Sequence, residues 1–151
     1  PISKALNQIA MKVLSGIGGS SGALFGTLFM TMAKGANIDD GIDFKKAVEI
    51  FAQGVEAVKQ RGKADVGEKT MMDVLIPVSN CLQKGLEENK DKSEILNEAI
   101  EVAEKGMLST KDLLATKGRA SFLGERAKGH IDPGARSSQL MIKTVCESVN
   151  S

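Results

Sequence analysis

Apolar side chains recur every three or four residues along almost the whole sequence, which is the spacing of helices that bury one face. The first such pattern covers residues 2–14. The second covers residues 23–32, where Ser20 or Ser21 would cap the start and Gly35 would stop the helix. No segment alternates convincingly between apolar and polar residues. The pattern therefore predicts an all-α protein.

The middle of the sequence predicts two more helices, each with a recognisable start. Asp43 would cap a helix whose apolar stripe covers residues 44–58 and which breaks at Gly62. The next pattern begins near Thr70 and carries Pro77 inside it. Because proline removes one hydrogen bond of the helical ladder, we expect a kink there.

The last third of the sequence predicts two further helices. Ser93 opens the first, whose apolar residues reach Met107 and which continues or restarts through residues 113–114. The second begins at Asp132, Pro133 and Gly134, a side-chain cap followed by proline in the first turn. It leads into the apolar face of Leu140, Met141, Thr144 and Val145.

Composition narrows the class of protein. With 151 residues, the chain suits a single domain over residues 1–151. Its 20 basic and 19 acidic side chains nearly cancel, and it has no Trp or Tyr, so neither charge nor stacking favours nucleic acid. No apolar run approaches the roughly 20 residues of a membrane span, and no signal pattern opens the chain. Cys81 and Cys146 lie far apart and indicate reduced thiols, which favours a cytoplasmic protein without membrane contact.

Glycine, serine and threonine concentrate in three segments, and a helix is predicted to begin within each. The segments span residues 18–22, 61–73 and 117–138. Glycine lets a backbone N–H approach an anion closely, and a helix N-terminus carries about half a positive charge. Several such termini at one end of a bundle would bind phosphate without a net basic surface. The segments therefore indicate a nucleotide site, with ordinary capped turns as the alternative.

Side chains beside these glycines each allow more than one interpretation. Lys63, Lys69 and Thr70 could donate hydrogen bonds to a ligand or could simply begin a helix. Met71 and Met72 could line an adenine slot or could belong to the core.

The third segment carries the strongest candidates for phosphate chemistry. Arg119 and Arg126 lie beside glycines and could each hold a diphosphate with a planar guanidinium, although Arg126 could equally pair with Glu125. His130 is the single histidine. It could hydrogen-bond its own loop, act as a general acid or base, or carry a phosphate.

Three long motifs resemble one known family. The chain is similar to the nucleotide-binding L subunit of bacterial dihydroxyacetone kinase, DhaL, and to the equivalent domain of ATP-dependent dihydroxyacetone kinases. The resemblance is carried by VLSGIGGSSGALFGTLF at 13–29, RGKADVGEKTMMDVLIPV at 61–78 and KGRASFLGERAKGHIDPGA at 117–135. It extends from about residue 13 to the final helix.

The resemblance implies an antiparallel helical barrel that holds ADP or ATP as a bound cofactor at one end. It assigns nucleotide contacts to the positions that match the family's motifs, which here are Ser20, Ser21, Gly62, Met71, Arg119, Asp132, Pro133 and Gly134. It also implies magnesium, held by aspartates of a DGDHG-type motif. No such motif occurs in this sequence, and it would lie upstream of Pro1. We therefore expect the first helix and the metal loop of the family to be missing here.

The function implied is that of the ADP-binding L subunit of a phosphoenolpyruvate-dependent dihydroxyacetone kinase. In that family a phosphohistidine of the M subunit phosphorylates the bound ADP, and the γ-phosphoryl passes to dihydroxyacetone on the K subunit. Without a metal loop, we expect this transfer to be impaired. One alternative is the C-terminal domain of an ATP-dependent dihydroxyacetone kinase. Another is a module that reports nucleotide state to a transcriptional regulator. A third, a role in fatty acid phosphorylation, agrees less well with the GHIDPGA motif.

Overall fold

The computed structural model describes residues 7–8, 11, 19–36, 42–113 and 129–150. Within these ranges the chain forms helices and no strand, which confirms the all-α prediction. None of the helices described has the length and apolar character needed to cross a bilayer. The helices are α1 (Gly19–Ala36), α2 (Phe44–Gly62), α3 (Met72–Glu87), α4 (Lys92–Ser109) and α5 (Pro133–Asn150), with a 3₁₀ turn at Thr110–Asp112.

The chain divides into two compact units, residues 1–63 and residues 64–151. In the first unit, α1 and α2 pack as an antiparallel pair. A Cβ atom on Gly62, at the end of α2, would lie 3.3 Å from Leu24 near the start of α1. At the other end of the pair, Gly35 of α1 lies against Ile50 of α2. The single domain expected over residues 1–151 stays a prediction.

The second unit is built from α3, α4 and α5. A short turn joins α3 to α4, so these two helices run antiparallel. Asp132, just before α5, donates its N–H to Thr110 Oγ1, just after α4, at 3.0 Å. At the opposite end, Asn150 Nδ2 lies 3.4 Å from Asn97 Oδ1. Helix α5 is therefore antiparallel to α4, and α3 and α5 begin at the same end of the unit.

The predicted ends of α2 are confirmed. Asp43 caps the helix, since its Oδ1 accepts the N–H of Lys46 at 2.8 Å. The helix ends at Gly62, and Lys63 follows in the left-handed region with φ of 49°. Both ends are local features, because a cap and a left-handed residue act within one turn.

The predicted end of α1 needs correction. Helix α1 covers Gly19–Ala36, so Ser20 and Ser21 lie within it. It continues through Gly35 to Ala36. Gly35 is used for packing, because a Cβ there would lie 3.2 Å from Ile50 Cγ1.

The second unit also differs from the expected helix limits. Helix α4 starts at Lys92, one residue before Ser93, and Asp91 precedes it without a side-chain cap bond. The helix does not continue through residue 113, because Leu113 has extended backbone with ψ of 151°. Leu114 lies outside the described residues.

The buried face of α5 is not the predicted one. Leu140 and Val145 are 52% and 54% exposed. The side of α5 that packs is rich in small residues, which allow a close approach to α4. Its buried members are Gly134, Ala135, Ser138, Gln139, Ile142 and Cys146.

Pro77 lies inside α3, which nevertheless runs from Met72 to Glu87 as one helix. Proline has no N–H, so the carbonyl of Asp73, four residues earlier, has no partner from position 77 in the helical ladder. Gly106 of α4 packs directly against this carbonyl and leaves no room for a Cβ atom. The proline and the glycine together bring α3 and α4 into backbone contact, while the kink at Pro77 stays a prediction.

Cys81 of α3 and Cys146 of α5 are free thiols. Burial raises the pKa of Cys146 to about 11, and the nearby Cys81 adds to the shift. Burial also raises the pKa of Cys81, although that side chain is partly accessible. Because the thiolate is the reactive form, neither residue is an activated cysteine.

We therefore expect the native protein to resist alkylation at Cys146. At pH 8, iodoacetamide should modify Cys146 about a hundredfold more slowly in the native protein than in urea, and Cys81 should react first. Peptide mass spectrometry over a time course measures both rates. Equal native rates at the two cysteines would contradict this expectation.

Candidate functional site

The start of α3 is organised by the buried carboxylate of Asp73, which is 2% exposed. Its Oδ1 accepts the N–H of Gly67 at 2.6 Å, and its Oδ2 accepts the N–H of Thr70 at 2.9 Å. The hydroxyl of Thr70 in turn accepts the N–H of Met72 at 3.1 Å. This is a variant of the capping box, in which the helix start and the preceding loop satisfy each other's donors. The loop is thus fixed to α3 before any ligand binds.

Lys69 lies in this loop and is only 3% exposed. Its backbone is left-handed, with φ of 61°, and its ammonium group donates to the backbone carbonyls of Thr110 and His130. The ammonium therefore bonds the protein itself. The interpretation of Lys69 as a hydrogen-bond donor to a ligand is not supported by these contacts.

The start of α5 is held by a second set of contacts. Thr110 Oγ1 accepts the N–H of Asp132 at 3.0 Å and donates to the carbonyl of Met107 at 2.7 Å. Asp132 Oδ2 then accepts the N–H of Ala135 at 2.9 Å, which confirms the predicted cap. Pro133 occupies the first helical position, as predicted. Burial raises the pKa of the Asp132 carboxyl, against the opposing effects of the Ala135 N–H and the charge of Lys69.

The two helix starts meet at Gly134. A Cβ atom on Gly134 would lie 3.5 Å from Met71 Cε and 3.2 Å from Asp132 Oδ2. The missing side chain therefore lets the backbone of α5 approach the start of α3 closely. Four of the predicted nucleotide contacts, Met71 and residues 132–134, come together here. The end of this unit presents two helix N-termini, the arrangement that favours an anion.

The other predicted contacts lie elsewhere in the chain. Ser20 and Ser21 belong to the first turn of α1, and Gly62 ends α2, so all three are in the first unit. Arg119 lies outside the described residues, as does Arg126. The roles of these residues in a nucleotide site stay predictions.

The remaining candidates near the site have structural roles. Met72 is 1% exposed and belongs to the core, so it does not line an open slot. His130 contributes its backbone carbonyl to Lys69, while its side chain is exposed. The roles predicted for its imidazole stay predictions.

Sequence reasoning missed two residues that organise the site. Asp73 follows Thr70 by three positions, and this spacing of Thr and Asp is a signal for a capping box. Thr110 carries no such signal, because its partner Asp132 is 22 residues away in the sequence. Only packing brings these two residues together.

The described residues do not fit a magnesium site. No group of three His, Cys, Asp or Glu side chains gathers in the described ranges. The two acids near the helix starts already accept backbone N–H groups, Asp73 with both oxygens and Asp132 with one.

The DAK2 domain family matches residues 1–147. This chain belongs to that family. The ADP-binding subunit DhaL of the phosphoenolpyruvate-dependent dihydroxyacetone kinase of Escherichia coli is 41% identical over 91% of the chain. The ADP-binding subunit DhaL of Lactococcus lactis, from a phosphotransferase-system-dependent dihydroxyacetone kinase, is 40% identical over 98% of it. This DAK2 domain spans about two thirds of these relatives, 66% and 69% of their lengths.

A solved structure supports the same assignment. The dihydroxyacetone kinase of C. freundii, in complex with AMP-PNP and Mg²⁺, matches 97% of this DAK2 domain with a TM-score of 0.67 and 26% identity. The match covers 23% of that kinase chain. The family resemblance and the helical fold expected from the three motifs are thus both confirmed.

Proposed function

We propose that this DAK2 domain is the ADP-binding L subunit of a phosphoenolpyruvate-dependent dihydroxyacetone kinase. Its role is to hold ADP while the M subunit delivers a phosphoryl group from a phosphohistidine. The K subunit then receives the γ-phosphoryl on dihydroxyacetone. ADP serves as a bound cofactor, and the protein works in the cytoplasm.

The observation that carries this proposal is the meeting of the α3 and α5 starts at Gly134. The positive ends of two helix dipoles favour the phosphates of a nucleotide. Met71 is 3% exposed and packs against Gly134, so it helps to hold the two helix starts together. The same positions lie in a domain whose relatives are named as ADP-binding subunits.

The test is calorimetric titration of the protein with ADP in the presence of Mg²⁺. We expect binding by the wild type, and binding about tenfold weaker in Gly134→Ala, a change of about 1.4 kcal/mol, because the new methyl would lie 3.2 Å from Asp132 Oδ2 and would displace the start of α5. Ser137→Ala, an exposed change one turn along the same helix, is the matched control and should bind like the wild type. Absence of ADP binding in the wild type would reject the proposal.

A second candidate function is the nucleotide domain of an ATP-dependent kinase. The match to the C. freundii kinase favours this second candidate. It covers less than a quarter of that kinase chain, so in that protein the matching domain is part of a longer polypeptide. The two candidates differ in what drives the reaction. Phosphorylation of dihydroxyacetone by phosphoenolpyruvate with the K and M subunits supports the first, and phosphorylation by free ATP without an M subunit supports the second. A role in reporting nucleotide state to a regulator stays a prediction.

A further inference from the structure

Lys69 is a buried cation that the proposed ADP binding does not use directly. A buried ammonium group is costly unless its hydrogen bonds are satisfied and opposite charge is close. Here two backbone carbonyls accept hydrogen bonds from it. The positive charge of Lys69 also favours the ionised form of the Asp132 carboxyl. Such a residue is expected where a charge at one particular place does something that an apolar side chain could not.

The two carbonyls belong to opposite ends of the connection between α4 and α5. Thr110 follows the last residue of α4, and His130 comes two residues before Asp132. The same two ends are joined again by the N–H of Gly129, which donates to the carbonyl of Lys111 at 2.6 Å. Lys69 therefore hydrogen-bonds both ends of this connection and joins them to the loop that precedes α3.

The position of the ammonium also matters for electrostatics. The C-terminus of a helix carries about half a negative charge, and α4 ends where α3 and α5 begin. An uncompensated α4 terminus would repel an anion at this end of the unit. By bonding the carbonyl of Thr110, Lys69 places a positive charge on that pole.

We propose that Lys69 is a positioning residue of the nucleotide site, which fixes residues 129–134 against the start of α3 and neutralises the end of α4. The residue does not touch the nucleotide. It keeps the contact between Met71 and Gly134 formed without nucleotide, so that little ordering of the two helix starts remains to be done on binding. This inference rests on the proposed ADP binding for its functional part and on the contacts of Lys69 for its structural part.

The experiment compares the wild type with Lys69→Met, which keeps the aliphatic stem, and with Lys69→Arg, which keeps the charge and the donors. Lys105→Met, an exposed change on α4 with the same loss of charge, is the control. Two quantities are measured at a temperature where every variant is folded. They are the amide exchange of residues 129–135 without nucleotide and the affinity for ADP with Mg²⁺.

In Lys69→Met we expect exchange of residues 129–135 to rise about tenfold relative to the peptides of α4, and ADP affinity to fall about tenfold. Lys69→Arg should recover both to within about threefold of the wild type, and Lys105→Met should change neither. If Lys69→Met fails to fold, Lys69→Ala, which is neutral and has no donor, takes its place with the same expectations.

Unchanged exchange of residues 129–135 in the neutral variant would overturn the inference. So would faster exchange with unaltered ADP affinity, because the residue would then serve stability alone. If the wild type itself binds no ADP, the proposed function fails. The exchange measurement still decides in that case whether Lys69 positions the segment.

Discussion

Replacing Gly106 by alanine should destabilise the protein by about 2–3 kcal/mol, even though alanine is the better helix former. The new Cβ would collide with the carbonyl oxygen of Asp73 and would lie 3.1 Å from its carbonyl carbon and 3.2 Å from Val74 Cα. These are backbone atoms inside α3, so no side-chain rotation can relieve the clash. The whole of α4 must move away from α3, which loosens the packing along both helices.

Gly35→Ala is the matched control for this prediction. It is also a glycine inside a helix, but its Cβ would meet only the side chains of Ile50 and Gln53, at 3.2 and 3.3 Å. Those side chains can yield, so we expect its free energy of unfolding to stay within about 1 kcal/mol of the wild type. Urea unfolding of the two variants, followed by circular dichroism, measures the difference. Equal stability of Gly106→Ala and Gly35→Ala would contradict the backbone contact between α3 and α4.

Replacing Asp73 by alanine should cost about 3 kcal/mol or more, because two charge-assisted hydrogen bonds are lost together. The N–H groups of Gly67 and Thr70 lose their acceptor. Asp73→Asn keeps one acceptor oxygen and should lose about half as much.

Asp91→Ala provides the comparison for Asp73. Asp91 stands just before α4, and its exposed side chain makes no cap bond. Its replacement should change the free energy of unfolding by less than about 0.5 kcal/mol. Thermal unfolding of the three variants tests the order. A loss at Asp73 no larger than that at Asp91 would show that the carboxylate does not hold the loop.

Both predictions concern the same end of α3, and this links stability to function. The side chain of Asp73 holds the loop, and its backbone carbonyl packs against Gly106. Lys69 of the same loop hydrogen-bonds the segment that precedes α5. We therefore expect changes at these positions to weaken ADP binding as well as folding. The helix starts that would bind phosphate are held by residues that never reach it.

Much of the fold follows from short-range patterns in the sequence. The cap at Asp43, the break at Gly62 and the cap at Asp132 act within one helical turn, so the residues that specify them are neighbours in the chain. Predictions failed where tertiary packing, and not the local sequence, decided which face of a helix is buried. In α5 the small residues around Ala135 and Cys146 are buried, while the larger Leu140 is exposed, because close contact with α4 matters more than side-chain hydrophobicity.

The sequence by itself determined the helical class, most of the helix starts and the family to which the motifs belong, since each rests on spacing along the chain. The tertiary structure alone decided which starts meet and what holds them together. Lys69 and His130 are 61 residues apart, and Thr110 and Asp132 are 22 apart, so no periodicity connects them. Burial decided the role of Lys69, because a buried ammonium group needs hydrogen-bond acceptors. Here backbone carbonyls of two segments distant in the sequence provide them.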